Sequence, residues 1–129
     1  MNEKQKIQLT RLRLRSFNFL DGNDVADSLA RNQHLWQSFI FGRFKYGWLI
    51  ELRDLPDDYL NADTLYILTY KDNLSVLLDV ISTWSADEVG WVGAESSEGP
   101  IGMTSKELAS AFGSHPFPAD LAVVRVWWD

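Results

Sequence analysis

Few side chains in this sequence are equipped for chemistry. There are two histidines, His34 and His115, and no cysteine among 129 residues. A general base needs an orienting carboxylate and a substrate within hydrogen-bond reach, and no spacing in the chain ties either histidine to such groups. The lack of cysteine excludes a disulfide framework, a thiolate zinc site and a cysteine nucleophile together. Carboxylates are plentiful and densest at Asp54, Asp57, Asp58 and Asp63. A hard cation such as calcium takes roughly six to eight oxygen ligands, but this spacing does not match an EF-hand and lacks its turn glycine. Aspartates around Pro56 also mark an ordinary turn, so no metal site is expected. Asp87 and Glu88 are adjacent, and a strand aims neighbours at opposite faces, so they do not form an acid/base pair. The phosphate-loop, dinucleotide, serine-elbow and H-E-x-x-H signatures are all absent. No cofactor is expected.

Arginine offers a second kind of chemistry. The stretch KIQLTRLRLRSFNF alternates apolar and polar residues, the signature of a half-buried strand, with a bulge or turn near Thr10 where the phase shifts. Arg11, Arg13 and Arg15 then line one outer face. Such a row could touch phosphates while aromatics stack on bases. The RNP pattern is missing, however, and the chain after residue 15 carries a net charge of -10 against +4 before it. Nucleic acid is therefore disfavoured, and the arginines are expected to pair with carboxylates such as Glu51 or to face a partner.

Aromatic side chains supply the remaining candidates. In RFKYGWLIELRDL, Phe44, Tyr46, Trp48, Ile50 and Leu52 share one face, as in a sheet with one buried and one wet side. That face is core beneath helices, or alternatively one wall of a cleft for a flat apolar ligand. In the second case the 93–102 loop acts as a lid bringing Glu95 and Glu98. In the terminal stretch LAVVRVWWD, Ala122, Val124, Val126 and Trp128 share a wholly apolar side. Leu121, Val123, Arg125, Trp127 and Asp129 share a mixed one. Trp128 is expected in the core, and Trp127 beside Arg125 at a contact surface, where Trp and Arg are enriched.

The elements that must position these residues follow from spacing. DGND reads as a turn and cap, with Asn23 or Asp24 as N-cap of a helix from about 24 to 40. Val25, Leu29, Trp36 and Ile40 share its broad apolar face, and Gly42 ends it. DLPDDYLNAD is a loop. TLYILTY is apolar on both parities, as in a central strand covered on both faces. NLSVLLDVISTW makes a second helix with Leu74, Leu77, Leu78, Ile81 and Trp84 in one stripe. SADEVGWVG holds a short strand with Val89 and Trp91 on one side. The box T-S-K-E at Thr104–Glu107 starts a third helix that Gly113 closes, and LAVVRVWWD is the last strand. The order is β-α-β-β-α-β-α-β. Its first six elements match the ferredoxin-like split β-α-β arrangement, with an added helix and strand. The expected fold is an α+β sandwich, a mainly antiparallel sheet with helices on one face.

Length and composition set the frame. A chain of 129 residues with 46% hydrophobic content is one domain, spanning 1–129, that buries roughly two thirds of its unfolded surface without disulfide or metal. No run approaches the roughly 18 apolar residues of a membrane span, and MNEKQKIQLTRLRLR lacks the apolar core of a secretory signal. A cytoplasmic location and no membrane partner are expected. The formal net charge of -6 suits solubility or a basic partner. The expected function is non-catalytic protein binding, by self-association or by blocking a basic partner as inhibitor and immunity proteins do. A small-molecule-binding domain or small enzyme using the Tyr46–Trp48 cleft is the alternative.

Overall fold

A computed structural model describes residues 1–42, 56–57, 62–94, 112–113 and 116–129. The expected strand 43–53, the 95–102 part of the loop, the third helix up to residue 111 and His115 lie outside the described residues.

The first departure from expectation is at the start. Residues Glu3–Arg13 form a helix, α1, not a strand. Asn2 caps it, its side chain accepting from the Gln5 backbone N–H at 2.9 Å, and Glu3 sits in the first turn where negative charge suits the helix dipole. Lys, Gln, Leu and Arg are all good helix formers. The alternating R-L-R-L-R run that mimics a strand straddles the helix end, and of α1 only Leu12 is fully buried. Arg11, Arg13 and Arg15 therefore do not share one face.

A tight hairpin follows, β1 (Ser16–Phe17) paired with β2 (Leu20–Asp21), with Asn18 in the left-handed region at φ 48°. Asp21, rather than Asn23 or Asp24, caps α2 (Gly22–Arg31), accepting from the N–H groups of both Asn23 and Asp24. Gly22 is required here, because a Cβ would overlap the carbonyl oxygens of Leu12 and Arg15. α2 stops nine residues before the expected end. Asn32 turns back to bond the Ser28 carbonyl, and a 3-10 turn, Gln33–Leu35, leads into β3 (Ser38–Phe41). Trp36 is buried as its spacing implies, but reaches the core with its indole N–H on the Leu29 carbonyl at 3.0 Å.

The other elements lie close to where spacing puts them. They are β4 (Thr64–Tyr70), α3 (Lys71–Ile81) with a following 3-10 turn, β5 (Glu88–Gly93) and β6 (Leu121–Trp127). The protein is a mixed α+β fold with three helices and two antiparallel sheets among the described residues. The main sheet has the order β3-β4-β6-β5, every neighbouring pair antiparallel. β4 and β5 thus run parallel, joined through α3, with β6 inserted between them. This split β-α-β differs from the expected one, whose opening strand is α1.

All three helices send apolar residues to one sheet face. Leu12, Val25, Leu29, Leu74, Leu77 and Ile81 join Phe39, Phe41, Leu65, Ile67, Val124, Val126 and Trp128 in the larger core. The opposite face holds a second cluster of Tyr66, Val92, Phe117, Leu121 and Val123. α1 also serves the edge strand β3. Gln5 Oε1 accepts from the Phe39 N–H at 2.8 Å and Gln8 Oε1 from the Phe41 N–H at 3.1 Å, so two donors on the strand side away from β4 are satisfied by side chains. Among the described residues no helix is long and apolar enough to cross a membrane.

Candidate functional site

The mixed side of β6 builds an organised polar cluster. Val124, Val126 and Trp128 point into the larger core, so the strand period of two sends Arg125 and Trp127 to the opposite face. β5 supplies the neighbours. Gly90 lies opposite Arg125 and Glu88 opposite Trp127. With no side chain at Gly90, the guanidinium leans across, 3.8 Å from Glu88 Oε2 and 5.9 Å from the Trp127 ring centroid. β4 closes the other side, with Thr64 opposite Trp127.

The residue just before β4 fixes the indole. Asp63 Oδ2 accepts from Trp127 Nε1 at 3.3 Å, while its Oδ1 accepts from Thr64 Oγ1 at 2.6 Å. Trp127 is half-buried, and Glu88 is over half exposed. In such surroundings the Arg125–Glu88 attraction contributes at most about 1 kcal/mol, so its main effect is to orient Arg125. Asp129 extends the cluster, its N–H donating to Asp87 Oδ2 at 2.8 Å and its carbonyl accepting from the Asn18 amide of the β1–β2 hairpin. Four carboxylates, Asp63, Asp87, Glu88 and Asp129, are therefore tied to this end of β6 and the strand ends flanking it.

The three N-terminal arginines each meet different neighbours. Arg13 reaches α2, 2.6 Å from Asp27 Oδ1. Arg15 donates to the Ala62 carbonyl at 3.0 Å and stacks over Phe17 at 4.0 Å. Arg11 is partly buried with an unpartnered Nε, and desolvation lowers its pKa. Arg15 thus sits beside Asp63, the residue that follows Ala62 and bonds the Trp127 indole. Tyr46, Trp48, Glu95 and Glu98, the alternative cleft, lie outside the described residues.

Among the described residues no group of three or more His, Cys, Asp or Glu is placed to hold a metal ion. His34 is exposed, and the contact at that residue runs through its backbone carbonyl, which accepts from Asn73. The roles of Asp63, Glu88 and Gly90 were not readable from the sequence, because they depend on which strands flank β6. Alternation shows a strand's faces but carries no record of its neighbours. No family model, curated protein or solved structure matches this chain.

Proposed function

We propose that the chain is a non-catalytic protein-binding domain that acts in the cytoplasm and docks through Trp127 and Arg125. The observation that supports this reading is the clamped indole, its N–H bonded to Asp63 and its ring overlaid by Arg125. Trp and Arg dominate interface hot spots, and a contact residue already held in one geometry loses little freedom on binding. Carboxylates at Asp63, Asp87, Glu88 and Asp129 around that indole suit a basic partner, in the manner of an inhibitor or immunity protein. A second copy offering its basic N-terminal segment is the self-association form of the same reading.

The test begins with the absolute mass of the full chain by light scattering. The chain is then used as bait in lysate of its own organism, beside Trp127→Ala and Arg125→Ala variants checked for unchanged melting. A dimer, or a stoichiometric basic protein released at high salt, is expected for the wild type and lost in both variants. A monomer that captures nothing overturns the proposal.

A further inference from the structure

A groove of about 390 Å³ opens between the N-terminal half of α1 and the sheet face opposite the helical core. That size lies within the roughly 300–1,000 Å³ range of small-molecule sites. Its walls differ sharply. Ile40, Leu68 and Val123, with Tyr66 and Ser38 beside them, give a mainly apolar floor on three strands, and Phe112, stacked edge-on against Phe117 at 5.2 Å, adds an aromatic wall.

The polar wall is α1, through Lys4, Gln5 and Gln8. The amide oxygens of Gln5 and Gln8 are already engaged by the Phe39 and Phe41 N–H groups. A planar amide whose oxygen is held in place presents its NH2 end away from that bond. The two amides on this wall thus keep their NH2 groups beyond these bonds, Lys4 is exposed beside them, and among the described residues no carboxylate lines the groove. Lys4 belongs to the segment 1–15 of net charge +4, in a chain otherwise at -10.

We propose that this groove binds a small monocarboxylate with an apolar body. The carboxylate lies between Lys4 Nζ and the Gln5 and Gln8 amide NH2 groups, and the body lies against Ile40, Leu68, Val123 and Phe112. Charge-assisted hydrogen bonds select the acid over a neutral analogue, and burial of the body holds an apolar acid more tightly than acetate.

Octanoate and 4-phenylbutanoate, with octanamide and 4-phenylbutanamide as neutral counterparts, are titrated into the full chain by calorimetry and protein-detected NMR. At least one acid is expected to bind saturably, with shifts confined to α1, β3, β4, β6 and Phe112, and to bind about tenfold more tightly than its amide. Gln8→Glu keeps an oxygen for the Phe41 N–H but replaces the groove-facing donor with a repelling oxygen. It is expected to weaken the acid by about tenfold or more at unchanged melting temperature, and Lys4→Gln by a similar factor. Absence of saturable binding by both acids, equal binding of acid and amide, or a Gln8→Glu variant that binds like the wild type would each overturn the proposal.

Discussion

The indole N–H of Trp128 donates to the backbone carbonyl of Trp84 at 3.1 Å, and the Trp84 indole donates in turn to Ser28 Oγ at 2.9 Å. One relay thus joins β6, the turn after α3, and α2 across the core. Both rings are buried, and an indole buried without an acceptor would cost about 1–3 kcal/mol. Trp128→Ala empties the largest fully buried side-chain volume among the described residues and removes the donor to Trp84. A loss of about 3–5 kcal/mol is expected by denaturant unfolding. Trp127→Ala, on the half-buried face, is expected to cost clearly less. The reverse ranking would mean that the β6 register is inverted.

Ser28→Ala removes the acceptor at the end of the relay while barely changing volume. The orphaned Trp84 N–H should lower stability by about 1–3 kcal/mol. A drop well below that in urea titrations would show that the indole finds another acceptor.

Gly22 packs against the backbone carbonyls of Leu12 and Arg15 at the end of α1, and its N–H bonds the Arg15 carbonyl at 3.0 Å. Ala at this position must push backbone apart, not a flexible side chain. Gly22→Ala is expected to cost about 3 kcal/mol or more, seen as a large fall in melting temperature.

Arg11 and Arg13 lie two residues apart, yet their substitution by Met should act in opposite directions. Arg11 keeps a buried Nε without a partner, so Arg11→Met is expected to stabilise by about 1 kcal/mol. Arg13 is paired with Asp27 on a largely exposed surface, so Arg13→Met should cost less than about 1 kcal/mol, and less still at high salt. Chemical denaturation at two ionic strengths separates the two cases.

The core was largely legible because burial follows period. Leu74, Leu77, Ile81 and Trp84 are buried as their helical spacing requires, and Val124, Val126 and Trp128 as strand alternation requires. The N-terminal helix was misread because Arg11, Leu12, Arg13, Leu14 and Arg15 alternate across a helix end, where no period applies. The local sign of a helix start there is Asn2 followed three residues later by Gln5, a cap pattern. Ile40 also fits the helical stripe of Val25 and Leu29, yet it belongs to β3, because Asn32 closes α2 first. The polar cluster was half legible. Arg125 and Trp127 follow from alternation, whereas Asp63 and Glu88 arrive through strand order, which no local pattern encodes.

The insertion of β6 between β4 and β5 also governs when the protein can form. Residues 64–93 contain two strands that never bond to each other. On the ribosome they must wait, edges open, until Leu121–Trp127 has emerged to fill the gap. During that interval Val89, Trp91 and the apolar run of β4 are exposed to any passing strand, a hazard of late, non-local pairing. A nascent chain stalled before Leu121 would therefore hold a sheet without its middle, open to quality control or aggregation.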